Sequence, residues 1–154
     1  MPEMPSIKET RDMVFAMFDG QTDSQDVPMA LHMQRVAMAV PPDPIIVTVA
    51  WLHDIVEDTD VTFDDLHARG YPMEVIDAVE LLTHDKKEMD YPTYIQRLCD
   101  SGNAIALCVK IADQRDNTNP KRWLGMNPHM ARALSKKWDG VLPRLEQALK
   151  EISR

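Results

Sequence analysis

The sequence predicts an all-α fold, on three observations. Apolar residues recur at helical spacing, and no segment keeps the strict alternation of a strand. Eleven prolines against five glycines divide the chain into short segments, several opened by a proline or a capping residue. The 154 residues are 44% hydrophobic, which suits one domain with a buried core rather than a disordered chain.

The elements follow in order. Ile7 to Phe18 sets Ile7, Val14, Phe15 and Phe18 on one stripe, with Lys8, Glu9 and Asp12 elsewhere. Met29 to Val40 follows Pro28 and stops at Pro41-Pro42. Pro44 opens Ile45 to Asp58, which is apolar on most sides and therefore central. Thr62 with Asp65 three residues on resembles a capping box, and Gly70 ends the short helix that it starts. Pro72 to Thr83, Pro92 to Leu98 and Asn103 to Asn117 continue the helical pattern. Asn127-Pro128 reads as an N-cap followed by a first-turn proline. Gly140 and Pro143 leave the last stretch open between one kinked helix and two short ones. The expectation is a single helical bundle over residues 1–154, of about seven to nine helices, with no repeat and no dividing linker.

Composition excludes several classes of function. The formal net charge of −8 disfavours a nucleic-acid polymer or an anionic membrane as partner, and 6% aromatic residues disfavour a single-strand stacking platform. Asp43 interrupts the most apolar region, so no stretch is long enough to span a bilayer, and no secretory leader is visible. Cys99 and Cys108 lack zinc-type spacing and read as reduced thiols, so a cytoplasmic protein is expected. The charge is unevenly spread: residues 1–109 carry 7 basic and 20 acidic side chains, whereas 110–154 carry 10 and 5.

One segment carries chemistry. On a continuous helix with His53 at zero, Glu57 falls at about 40°, Asp54 at about 100° and Asp58 at about 140°. Three carboxylates and an imidazole crowded on one side of the most hydrophobic segment repel one another unless a cation neutralises them. Lys110, Asp113, Gln114 and Asn117 share a side of a second helix, and His32 lies in a Met-rich third. His32, His53, Asp54 and Asp113 together make a nitrogen/oxygen set without thiolate. Such a set suits octahedral Mn²⁺ or Fe²⁺, with Co²⁺ another candidate, better than a closed structural Zn²⁺. His84-Asp85 reads as a solvated turn, His67 and His129 as surface residues, and Trp51 as core.

The string Ala50-Trp51-Leu52-His53-Asp54-Ile55-Val56-Glu57-Asp58-Thr59 resembles the HD-superfamily metal-dependent phosphohydrolases, specifically the RelA/SpoT hydrolase branch. His32 with Val36-Ala37 resembles the family's first histidine motif, and Lys110-Ile111-Ala112-Asp113 with Asn117 its last-aspartate motif. The resemblance runs from about residue 29 to 117. It implies an all-α bundle, with His32, His53, Asp54 and Asp113 as metal ligands. It also implies that Glu57 and Asp58 orient or deprotonate the attacking water, and that Asn117 binds the nucleotide.

In that branch the reaction removes the 3′-pyrophosphate of (p)ppGpp. The same chemistry on a 5′-nucleotide, a nucleoside triphosphate or NADPH is the nearest alternative, and a silent nucleotide- or metal-binding module is another. Two departures stand out. Met33 replaces the family's proline after the first histidine, and the stretch between Arg11 and Arg35 has Asp19, Asp23 and Asp26 where the family has a basic loop. Cations for a phosphorylated nucleotide are therefore expected elsewhere. The candidates are Lys110 or Lys121 and Arg122, within a basic C-terminal part that also holds Arg115, Arg132, Lys136 and Lys137.

Overall fold

Side-chain caps start most of the helices in the computed structural model, which describes residues 3–152. Ser6 and Glu9 form a capping box at the head of α1 (Ile7–Met17). Helix α2 (Met29–Ala39) follows Pro28, and Asp43 caps α3 (Pro44–Leu52) by accepting from the backbone N–H groups of Ile45 and Ile46. After a break comes the single turn α4 (Ile55–Asp58), and the expected Thr62/Asp65 box opens α5 (Phe63–Ala68). Helix α6 (Met73–Leu82) follows Pro72, while Asp90 and Asn103 cap α7 (Tyr91–Asp100) and α8 (Ala104–Asn117). A 3₁₀ turn at Pro120–Trp123 leads to α9 (Pro128–Trp138), capped by Asn127, and then α10 (Val141–Ile152). Among the described residues there is no strand, only an isolated bridge between Thr22 and Pro28.

Helix α3 is the hub. It packs against α1, α2, α6 and α8, and Val49, Ala50 and Leu52 are fully buried, as its mostly apolar sequence requires. Helix α8 lies across it and also contacts α2, α6 and α10. This arrangement sets the end of α3 and the middle of α2 and α8 side by side.

Two details differ from the sequence expectation, and a third settles a point that it left open. Helix α1 buries Thr10, Met13, Val14 and Phe18, while Ile7 and Phe15 stay at the exposed rim; a hydrogen bond of 2.6 Å between Thr10 and Tyr71 turns the face that way. The segment Ile45–Asp58 is two helices rather than one. The final stretch also resolves into two, because Gly140 takes a left-handed φ of 72° between α9 and α10.

Leu52→Ala would empty a fully enclosed position in the hub helix. It is expected to cost about 3 kcal/mol, a fall in Tm of roughly 6–12 °C read by thermal denaturation. Thr62→Ala, which removes only a cap, should cost about 1 kcal/mol.

Candidate metal centre

The break after α3 builds the centre. His53 ends α3 in helical conformation, but Asp54 turns to φ −110° and ψ 4° before α4 begins. The one-sided helix expected for His53, Asp54, Glu57 and Asp58 is therefore interrupted, and the interruption lets two consecutive side chains face one point. His53 Nε2 lies 3.3 Å from Asp54 Oδ2. Its Nδ1 donates to the carbonyl of Ala50 at 2.7 Å; a carbonyl only accepts, so Nε2 is the nitrogen turned toward the centre.

The other two members come from α2 and α8. Asp113 Oδ1 lies 2.8 Å from His32 Nε2 and 3.2 Å from His53 Nε2, and it accepts from Asn117 Nδ2 at 3.2 Å. Its Oδ2 accepts from Lys110 Nζ at 2.9 Å. Asp113 is 3% exposed and both histidines 2%, so the surface reading open to a lone helical aspartate does not apply. One donor atom each from His32, His53, Asp54 and Asp113 lie within 4.8 Å of one another. Metal–ligand bonds of roughly 2.0–2.2 Å to a shared ion produce separations of that order. Two imidazoles and two carboxylates, without sulfur, are a donor set that fits a divalent cation.

Behind His32 stands a residue that sequence reasoning missed. Asp116 Oδ2 is 2.5 Å from His32 Nδ1, and the guanidinium of Arg35 donates to the same carboxylate at 2.9 and 3.3 Å. His32 and Arg35 hold the Asp116 carboxyl down at about 2 against the opposing effect of burial. This carboxylate–imidazole pairing fixes the ring so that Nε2 points inward. Asp116 lies three residues after Asp113, one turn on, and that spacing was the available signal.

The cavity in front of the cluster measures about 150 Å³ and is lined by His32, Asp54, Glu57, Asp113 and Asn117, with Lys86, Lys110 and Lys137, the rings of His84, Tyr91, Tyr94 and Trp138, and Met29 and Leu82. Glu57 is held at its wall: Oε1 accepts the backbone N–H of His84 at 2.8 Å. Asp58 instead faces an adjoining groove that shares Glu57, His84 and Lys86 with the cavity. Partial burial and the charges of Asp54 and Glu57 push the Asp58 carboxyl up to about 6.

Other expectations need correcting. His84 is not in a solvated turn; its ring stacks on Tyr94 at 4.7 Å and its Nε2 donates to the Met89 carbonyl at 2.8 Å. Lys121 is exposed and outside the cavity. Arg122 is also absent from the lining, because its guanidinium is taken up by Asn117 at 2.8 Å, Asp116 at 3.2 Å and Asp23 at 3.4 Å. Gln114 points into the core at 1% exposure rather than toward the site. Of the expected phosphate contacts, Lys110 and Asn117 reach the cavity. Lys137, a member of the basic C-terminal set but not singled out within it, also reaches the cavity, as does Lys86, which was not considered for this role.

No family model matches the chain. The fold is an all-α bundle, as the sequence resemblance implied. The chain is 28% identical over 132 residues to the guanosine-3′,5′-bis(diphosphate) 3′-pyrophosphohydrolase MESH1 of Drosophila melanogaster, covering 76% of this chain and 71% of that one. It also aligns with the solved structure of a metazoan ortholog of SpoT, described as hydrolysing ppGpp and having a role in starvation responses. There the TM-score is 0.63 at 24% identity, with 98% of this chain and 96% of the other covered. No helix among the described residues is long and apolar enough to cross a membrane.

Burial opposes charge on both histidines, but Asp113 and Asp116 raise the pKa of His32, and Asp54 and Asp113 hold that of His53 well above its ordinary value. In the cation-free protein this pairing contributes stability that is complete below the unfolded value of about 6.5 and is lost as pH rises through the raised values. A divalent cation competes with those protons, so it binds more tightly as pH rises. Adding Mn²⁺ should therefore raise Tm more at pH 8 than at pH 6. Asp113→Ala should abolish the increment at both, as read by differential scanning fluorimetry.

Proposed function

We propose that the protein is a cytoplasmic, single-domain, divalent-cation-dependent hydrolase that removes the 3′-pyrophosphate of (p)ppGpp. The observation that carries the reading is the convergence of His32, His53, Asp54 and Asp113 on one buried point, in a cavity also lined by Glu57 and by Lys86, Lys110 and Lys137. The alarmone as substrate draws support from the named relative and from the Glu57-Asp58 pair.

In this reading His32, His53, Asp54 and Asp113 hold the cation, most favourably Mn²⁺ given the mixed nitrogen/oxygen donors. When bound, the cation lowers the pKa of a water and polarises a phosphoryl oxygen. The chain's own residues do the rest. Lys110 and Asn117 brace Asp113 from two sides, keeping its carboxylate ionised and aimed. Burial opposes that ionisation, yet Lys110 and the two histidines hold the pKa well below the usual carboxylate range.

Glu57, fixed by the His84 N–H, takes the proton of the attacking water as the bond from that water to phosphorus forms and the bond from phosphorus to the 3′ oxygen breaks. The proton then passes to the 3′ oxygen, leaving GDP and pyrophosphate when ppGpp is the substrate. Asn117 donates one N–H to Asp113 and accepts from Arg122, which fixes the amide and leaves its second N–H and second lone pair for the nucleotide.

Purified protein with Mn²⁺, Fe²⁺ or Co²⁺ should release pyrophosphate and GDP from ppGpp, with products identified by anion-exchange chromatography. Orthophosphate released only from 5′-nucleotides, nucleoside triphosphates or NADPH would reject the alarmone and retain the hydrolase. No turnover across that panel would favour a binding module. Glu57→Gln should keep the Mn²⁺-induced rise in Tm while losing about 10²–10⁴ in kcat. Asp54→Ala should lose both the thermal shift and the activity.

A further inference from the structure

Three ammonium groups from three separate elements converge on the cavity. Lys110 comes from the middle of α8, Lys137 from the last turn of α9, and Lys86 from the turn that follows α6. Lys110 is committed to Asp113, but neither Lys86 nor Lys137 makes an ion pair among the described residues. Aromatic faces steer two of them: Lys137 Nζ stands 4.6 Å from the centre of the Tyr91 ring and Lys110 Nζ 5.3 Å from that of Tyr94. Partial burial and the like charges of Lys86 and Lys110 lower the pKa of Lys137, which Glu57 only partly opposes.

The same cavity is lined by the carboxylates of Asp54, Glu57 and Asp113, which balance the lysines in number. A divalent cation among those carboxylates leaves the cavity with a positive excess, which an anion of about two charges cancels. A volume of about 150 Å³ takes a diphosphate group but not a whole nucleotide, whose nucleoside must reach an adjoining cavity.

We propose that Lys86, Lys110 and Lys137 form a diphosphate-binding subsite, in which Lys86 and Lys137 supply the cations missing from the acidic stretch before His32. The inference rests on the proposed function in that it takes the substrate to carry a diphosphate. It moves recognition of that group to the turn after α6 and the end of α9. Lys110 serves as both the brace of Asp113 and the inner wall of the subsite, so Lys86 and Lys137 are the positions at which the subsite can be tested apart from the metal centre.

Inorganic pyrophosphate, titrated calorimetrically into the Mn²⁺-loaded full-length protein against a metal–pyrophosphate blank, tests the subsite without requiring turnover. Lys137→Met and Lys86→Met should each weaken binding about tenfold, and the double variant about a hundredfold. Lys137→Arg should stay within about threefold of wild type, since it keeps the charge over Tyr91. The Mn²⁺-induced rise in Tm should be unchanged in all four, which separates the subsite from the metal centre. Equal pyrophosphate binding in wild type and the double variant, or no binding by wild type, overturns the proposal. If ppGpp is hydrolysed with an unchanged KM in the double variant, the subsite fails while the proposed function stands. Lysine-dependent pyrophosphate binding without ppGpp turnover supports the subsite and removes the alarmone.

Discussion

The carboxylate of Asp113 is bonded in four directions, to Lys110, Asn117, His32 and His53. Its partners lie on α2, at the end of α3 and on α8 itself, so one buried charge ties together the three helices that build the centre. Burying a carboxylate costs several kcal/mol unless it is paired and hydrogen-bonded, and here both oxygens are taken. Asp116 repeats the device one turn later, with Arg35 and Arg122 as its cations. The apolar core around α3 supplies burial, and these two carboxylates give that core its register.

The same pairing accounts for the charge asymmetry along the sequence. Asp23, from the acidic stretch before His32, accepts from the backbone N–H groups of Gln25 and Val27 and meets Arg122 from the basic C-terminal part. That aspartate is thus a structural group which organises the loop, and Arg122 is spent on it, on Asp116 and on Asn117 rather than on a ligand. The electrostatic mismatch that the sequence raises is relieved in part by this contact. The lysines of the cavity come from other elements.

What could be read from sequence, and what could not, divides along physical lines. Caps and helix starts are local: Thr62 with Asp65 and Asn127 with Pro128 act where they stand. His53 and Asp54 were legible because three carboxylates and an imidazole have no good reason to interrupt the most apolar segment, whereas His32 and Asp113, each ordinary on its own helix, were picked out only in combination with them and by the resemblance. Their geometry was not, because the helix breaks at Asp54 and a uniform rotation per residue no longer applies. Lys137 was hidden for a different reason. It lies on a helix with no buried residue, and only packing of that helix beside Tyr91 turns one of its many cations inward. His84 was misread because its neighbours in sequence are polar, whereas its neighbours in space are Tyr91 and Tyr94.

Glu57 is oriented by a main-chain N–H, that of residue 84. Any amino acid except proline provides that donor, so the orientation is encoded in the path of the chain rather than in a side chain. Residue identity at 84 is therefore free to vary as far as this bond is concerned, while the number of residues between Leu82 and the Asp90 cap is not. One residue added to or removed from that connection would shift the donor along the backbone, away from the carboxylate. Over evolutionary time such a turn would hold its length and, Lys86 apart, could drift in composition, the reverse of what is usual for surface loops.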